Sequence, residues 1–185
     1  TSQLFADNFN TNVYAAFGSV DYEVADNFDV SLALRYDIEE RKVSSRVPVV
    51  ADPITGGPIN PGQAFGAIPD QKETFKELQP KLSLRYGLTD NLNFYANWGI
   101  GFKSGGFNNQ GSAAIVDQNF NQFLGTNVLI NDIYRKETSS AFEAGFKGSA
   151  ANDAITFDLA GYYTKVDDMQ FFEFFVGAFG LLRVV

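Results

Sequence analysis

Apolar residues recur at every second position over long stretches of this chain, with polar or small residues between them. From Phe28 to Tyr36 one set is Phe28, Val30, Leu32, Leu34 and Tyr36, and the other is Asp29, Ser31, Ala33 and Arg35. A period of two is that of an extended strand whose faces meet different surroundings. It returns at Leu82, Leu84, Tyr86 and Leu88 against Lys81, Ser83, Arg85 and Gly87. It returns again at Leu92, Phe94, Ala96, Trp98, Ile100 and Phe102 against Asn93, Tyr95, Asn97, Gly99, Gly101 and Lys103. Further strands are expected over about Val13 to Val24, Thr138 to Gly148 and Ala154 to Val166. That makes six. A seventh is expected to begin near Phe179 and to run to Val185 with no partner after it.

The connections alternate in length. Short turns are expected at Asp26-Asn27, Asp90-Asn91 and Asn152-Asp153, residue types that tolerate left-handed backbone and bond their own main chain. Their spacing is that of a repeated hairpin. Between them lie two long irregular segments, about Arg46 to Thr74, with all but one of the six prolines, and about Ser104 to Tyr134, rich in Gly, Asn and Gln. Loops beyond ~15 residues are usually functional or disordered.

Composition narrows the chemistry. The 185 residues suffice for one domain, and with no Cys and no His the chain lacks thiolate sites, disulfides and the commonest general base and metal ligand. A net charge of −8 and the lack of any basic run argue against a nucleic-acid footprint. The longest apolar stretch, Phe174 to Leu182, falls far short of the ~20 residues of a membrane-spanning helix. Thr1-Ser2-Gln3-Leu4-Phe5 has neither the basic nor the apolar region of a signal peptide, which fits a cytosolic chain, a processed chain or an internal section.

Alternation alone cannot say whether the apolar face meets a protein core or lipid. Strands of ~10 residues or more, short turns at one end, long loops at the other and aromatics near strand ends match a transmembrane β-barrel with aromatic girdles. Those aromatics are Tyr14, Tyr22, Phe28, Tyr36, Tyr86, Trp98, Phe102 and Tyr163. On this reading Leu32, Leu34, Leu82, Leu84, Phe94, Phe157 and Leu159 face lipid, while Arg35, Arg85, Lys103, Glu143, Lys147 and Asp158 face a wet lumen. The alternative is a soluble β-sandwich.

At Gly101-Phe102-Lys103-Ser104-Gly105-Gly106-Phe107-Asn108 the chain resembles the barrel of TonB-dependent outer-membrane receptors, in which a strand like Asn93-Phe94-Tyr95-Ala96-Asn97-Trp98 runs into this motif. Leu32-Ala33-Leu34-Arg35-Tyr36, Pro80-Lys81-Leu82-Ser83-Leu84-Arg85-Tyr86 and Phe142-Glu143-Ala144-Gly145-Phe146-Lys147-Gly148 look like further pieces of it, in order. The resemblance implies a 22-stranded antiparallel up-and-down barrel with short periplasmic turns and long extracellular loops, plugged by an N-terminal domain. It also implies import of ferric siderophores, cobalamin or saccharides, driven by the TonB complex. Such a barrel needs ~220 residues within the bilayer alone, more than this chain has. No plug or TonB box is recognisable, and Val185 is not the terminal aromatic usual in the family. Residues 1–185 are therefore expected to be an internal section of the barrel, without the plug and the remaining strands. A complete small barrel and a self-assembling β-rich filament with two unpaired edges are the alternatives.

Ligand contacts are expected, if anywhere, at Arg35, Arg85, Tyr95, Lys103 and Asn108, on the polar face or at the loop exit. Arg35, Arg85, Glu143, Lys147 and Asp158 share the polar face as a candidate charged track, for which mutual ion pairing is the competing role, since an enclosed charge needs a partner. In Phe102, Lys103, Ser104, Gly105, Gly106, Phe107 and Asn108 the paired glycines read as shaping a loop exit through backbone freedom. Glu39-Glu40 and Asp167-Asp168 cannot form one site, because adjacent strand residues face opposite sides. No nucleophile and base pair stands out, so no catalysis, cofactor or metal is expected. The expected partners are outer-membrane lipid, the TonB complex through an N-terminal region, and a small-molecule ligand.

Overall fold

A computed structural model describes residues 6–60, 62–63, 67–108, 111–175 and 181–184. Long two-faced strands dominate: β1 (Asp7–Ala25), β2 (Phe28–Ser45), β3 (Gln71–Thr89) and β4 (Leu92–Lys103). After the short β5 (Gly106–Phe107), α1 (Ser112–Val116) with a following π-helical turn, and β6 (Ile133–Tyr134) come β7 (Glu137–Ala150) and β8 (Ile155–Asp167). The long strands form one antiparallel sheet in the order β1-β2-β3-β4-β7-β8, and no pairing of β8 with β1 closes it among the described residues. Among the described residues no helix is long and apolar enough to cross a membrane.

Register decides which residues share a face. One row across the sheet reads Val20, Leu32, Leu82, Trp98, Phe142 and Tyr163. The next reads Tyr22, Val30, Leu84, Ala96, Ala144 and Gly161. On the opposite face Asp29 stands beside Arg85, Arg85 beside Tyr95, and Lys147 beside Asp158. The apolar face is not a core, for Leu32, Leu34, Phe142, Phe146 and Leu159 are all exposed. From Phe28 to Ile38 the apolar positions of β2 cover ~33 Å of strand, which a tilt of ~40° turns into a band ~25 Å tall, the height of a barrel's lipid-facing belt. Aromatics pack in one row at its turn-end rim, Phe28 edge-on to Tyr86 at 6.1 Å and Phe94 tilted on Phe146 at 5.4 Å. Trp98 donates its indole N–H to Ser140 Oγ at 3.0 Å, so the ring's polar group is satisfied on the apolar face. The inner face is not wholly polar, since Phe9, Val13 and Phe17 form an exposed stripe there on the edge strand β1.

The strands run further than alternation predicts. β1 starts at Asp7, β2 continues to Ser45 and β3 begins at Gln71, inside a segment expected to be irregular. Beyond Ile38 both faces of β2 are mostly charged or polar, so no hydrophobic period marks the strand, although ladder bonds to β1 and β3 hold it. β4 leaves β3 at Lys81, so above that point β3 is paired with β2 alone. Pro80, which has no N–H, sits where the ladder becomes one-sided and costs no bond to β4. Lys136 covers the bare edge above, donating from Nζ to the Lys76 carbonyl at 2.7 Å and pairing with Glu77.

Turn chemistry follows expectation only in part. Asn152 and Asp153 take left-handed backbone, φ 57° and 65°, in a turn that also includes Ala151 at φ 54°. Asp26-Asn27 and Asp90-Asn91 do not; those turns are relieved by bulges at Glu23/Ala25 and Gly87/Thr89. Asn27 instead links two hairpins, accepting from Gly87 N–H at 2.7 Å and donating from Nδ2 to the Gly87 carbonyl at 3.0 Å. The expected last strand is present, and the structure supplies its partner. Leu181–Val184 (β10) pairs antiparallel with the preceding Phe172–Phe175 (β9), apart from the main sheet, so its partner comes before it. Phe179, Val185 and Thr1 to Phe5 lie outside the described residues.

The buried core lies above the apolar band, where the two long loops fold over the inner face of β2 and β3. Val43, Val47, Phe75, Phe107, Ile115, Val116 and Ile130 are buried there. This loop body forms a cap, and the apolar belt below it is left facing outward.

Candidate functional site

Inner-face residues near the turn end of the sheet surround an open hollow of about 490 Å³, lined by Asp29, Arg85, Asn93, Tyr95, Asn97, Glu143 and Lys147 among others. Arg85 Nη2 lies 2.6 Å from Asp29 Oδ2, and its Nε donates to the same oxygen at 2.8 Å. Lys147 Nζ is 3.1 Å from Asp158 Oδ2 and 5.1 Å from the centre of the Tyr95 ring. The Tyr95 hydroxyl donates to Asp158 Oδ1 at 3.3 Å. This ring covers Gly145, its partner across the strands, where an added Cβ would approach the Tyr95 hydroxyl oxygen to 2.8 Å. The wall mixes positive, negative and amide groups, with Arg85 held by Asp29, and Lys147 and Tyr95 by Asp158. It can offer several hydrogen bonds and both signs of charge to a polar solute.

Of the five expected ligand contacts, only Arg85 and Tyr95 meet in this hollow, joined by Glu143 and Lys147 from the charges expected on the wet face. Arg35 lies higher on the same face and forms a two-pronged pair with Asp37, Nε to Oδ2 and Nη2 to Oδ1 both at 2.8 Å. Asp37, only 4% exposed, also accepts from Gln79 Nε2. Lys103 stands at the top of β4, exposed, opposite Glu137. Asn108 lies inside the cap, its N–H donating to Asp132 O at 2.8 Å and its Nδ2 to Asn131 O at 2.7 Å. Asp29, Asn93 and Asn97 complete the hollow. Their signal was the same inner-face alternation, but short polar residues on a wet face look alike until register sets them beside Arg85 and Lys147.

At the loop exit the role of the glycines differs from that expected. Neither Gly105 nor Gly106 takes left-handed backbone. Space is the constraint instead: a Cβ on Gly105 would overlap the Phe75 ring and the Tyr134 carbonyl oxygen, whereas one on Gly106 would meet only side-chain ends, at 2.8 Å from Tyr134 Cζ. Gln170 fastens the same corner from beyond β8. Its N–H donates to Glu137 Oε2 at 2.8 Å, and its Nε2 donates to the carbonyls of Ser104 and Arg135, both at 3.0 Å. Glu39 and Glu40 point to opposite sides as expected, Glu39 pairing with Arg41 and Glu40 with Lys72. Among the described residues no group of three or more His, Cys, Asp or Glu is placed to hold a metal.

The tip of the first loop carries a titratable clasp. Asp52 Oδ1 accepts from the N–H groups of Ile54 at 2.8 Å and Thr55 at 3.0 Å, and Gly56 turns back at φ 72° to donate to the Asp52 carbonyl. The Thr55 and Ile54 N–H bonds hold the Asp52 carboxyl below the usual carboxylate range. A lowered folded-state pKa adds stability that is present above the ordinary carboxylate range and lost as pH falls through the lowered value. Hydrogen exchange at Ile54 and Thr55, corrected for its intrinsic pH dependence, should therefore gain protection from strong acid to neutrality. Asp52→Asn should flatten that profile.

An open antiparallel sheet with a lipid-height apolar belt, a paired-charge inner face and a loop cap at one end is the architecture of an outer-membrane β-barrel wall. The chain belongs to the TonB dependent receptor-like, beta-barrel family, whose model matches residues 1–182. Its fold is similar to the ferric yersiniabactin uptake receptor FyuA from Yersinia pestis, with a TM-score of 0.61 and 22% identity over 89% of this chain and 21% of that one. It is likewise similar to the copper transporter OprC, with a TM-score of 0.61 and 15% identity over 94% of this chain and 24% of that one. The alcaligin outer membrane receptor FauA from Bordetella pertussis gives a TM-score of 0.55 at 13% identity, over 96% of this chain and 25% of that one. The chain thus spans a quarter or less of each of these solved proteins, and membership of the family places it in the bacterial outer membrane.

Proposed function

We propose that these residues form a section of the wall of an outer-membrane receptor that imports a small solute, with energy delivered by the TonB complex and no chemistry performed on the cargo. The observation that carries this is the division of one sheet into an exposed apolar belt and an opposite face of paired charges. A soluble sandwich would bury the belt and leave the charges in open water; a transport wall needs the reverse. The rest of the barrel and a plug belong to the parent protein on this reading. A ferric siderophore is the cargo class we favour, since the named functions of FyuA and FauA concern ferric yersiniabactin and alcaligin.

Arg35, Arg85, Tyr95 and Lys103 line the inner path on this proposal, with Arg85 and Tyr95 in the hollow as its best-formed contact, whereas Asn108, buried in the cap, holds the loops together instead. Because Arg35 and Arg85 are already paired with Asp37 and Asp29, an anionic chelate must compete for them. The test is binding of candidate ferric chelates to the full-length receptor across a salt series, with Arg35→Gln and Arg85→Gln. Weaker binding by about threefold to thirtyfold and a shallower salt dependence are expected, the loss of one or two charge-assisted hydrogen bonds. Unchanged affinity assigns both arginines to the wall alone.

A further inference from the structure

Met169 is the one methionine of this sequence, and it is 45% exposed. It lines an open hollow of about 310 Å³ at the loop end of the sheet, together with Leu129, Ile133, Arg135, Asp168 and Gln170. Glu143, in the inner hollow, lies eight positions along the chain from Arg135, ~26 Å when extended, so the two hollows are separate places. A hollow of this kind admits small solutes to the side chain. With no Cys in the chain, the Met169 thioether is the group most open to two-electron oxidation.

Met169 stands between two residues whose positions are fixed. Asp168 before it takes left-handed backbone at φ 52°, and Gln170 after it holds the corner, its N–H on Glu137 Oε2 and its Nε2 on the Ser104 and Arg135 carbonyls. Left-handed backbone is costly for a residue with a Cβ, and the corner keeps it only while those bonds over-determine it. Within the hollow the Arg135 side chain is 86% exposed and meets Asp168 Oδ1 at 3.8 Å, too long for a hydrogen bond. It is therefore open to a new acceptor, whereas its neighbour Lys136 is committed to Glu77 and the Lys76 carbonyl.

We infer that Met169 is a site of reversible oxidation whose sulfoxide loosens the Gln170 fastening of the loop exit. A sulfur lone pair attacks one oxygen of hydrogen peroxide, and the S–O bond forms as the O–O bond breaks. The departing hydroxide takes the proton left on the transferred oxygen, and water is released; sulfur loses two electrons and peroxide gains them. The product is polar and carries a strong acceptor. It no longer suits a wall shared with Leu129 and Ile133, and Arg135 is the cationic donor in the same hollow. Gln170 holds the carbonyl of that same arginine. Drawing the guanidinium onto the sulfoxide thus pulls on both ends of the fastening, and the left-handed backbone at Asp168 favours release. The effect passes to Ser104, the residue before the paired glycines, through the second Nε2 bond.

The test exposes the full-length receptor in detergent micelles to hydrogen peroxide, reads Met169 sulfoxide by peptide mass spectrometry and follows hydrogen exchange at Gln170 and across 104–107. Oxidation at a rate within about tenfold of that of free N-acetylmethionine is expected. Once oxidised, these amides should exchange about threefold to thirtyfold faster, the loss of one or two hydrogen bonds, and methionine sulfoxide reductases A and B should restore the original exchange. Met169→Leu should keep that original exchange before and after peroxide. Gln170→Ala should exchange fast across 104–107 from the start, with no further change on oxidation. Met169 left intact while other methionines of the receptor react, unchanged exchange at full oxidation, or the same peroxide response in Met169→Leu would each overturn it. Cargo binding in the same samples reports on the transport proposal separately, because Met169, Arg135 and Gln170 do not line the inner hollow.

Discussion

Leu32→Arg is expected to lower the stability of the full-length receptor in a bilayer by about 2–4 kcal/mol, while Ser31→Arg, one residue away, costs less than about 1 kcal/mol. Leu32 lies near the middle of the apolar belt on β2, between Val20 and Leu82, and it is exposed. A guanidinium there meets hydrocarbon and must reach toward an interface or draw water inward. Ser31 faces the other way, beside Asp21 on β1 and two residues from Asp29, where a new cation finds partners. Denaturant unfolding from lipid vesicles measures both. Equal costs at the two positions would mean that the belt is not in lipid, and the receptor reading would go with it.

Gly105→Ala should loosen the loop cap while sparing the barrel wall. The added methyl would lie 2.7 Å from Phe75 Cζ and overlap the Tyr134 carbonyl oxygen. A buried ring can shift a little, but a backbone oxygen held in the β5–β6 ladder cannot move without breaking that ladder. Overpacking of this kind costs about 1–3 kcal/mol. It falls on a body joined to the sheet through Val43, Phe75 and the Gln170 contacts. Faster hydrogen exchange across 46–60 and 111–134, with unchanged exchange in β7 and β8, is the expected signature. Gly161→Ala is the matched control: it lies on the belt with nothing within 4 Å of an added Cβ, and it should change neither.

The middle of the sheet was legible in the sequence because alternation is a local property. Phe28 to Tyr36 and Leu92 to Phe102 announce their faces without reference to any other segment. Where the surroundings are polar on both sides the signal fades, as at Glu39 to Ser45 and Gln71 to Lys76, and there only pairing with a neighbour defines the strand. The paired glycines of the loop exit were visible as a motif, but their cause was not. Lack of room beside Phe75 and Tyr134 is a contact between distant segments, whereas backbone freedom is a property of the residue alone.

The chain by itself determined its two-faced strands, its hairpin turns, the long loops between them and the family to which it belongs, because each is written in residue type and spacing. Only the tertiary structure decided that Arg85 meets Asp29 and Tyr95 and that Arg35 is held by Asp37 and Gln79. Those depend on strand register. A shift of one residue would leave the composition and period of every strand unchanged while sending its side chains to the other face.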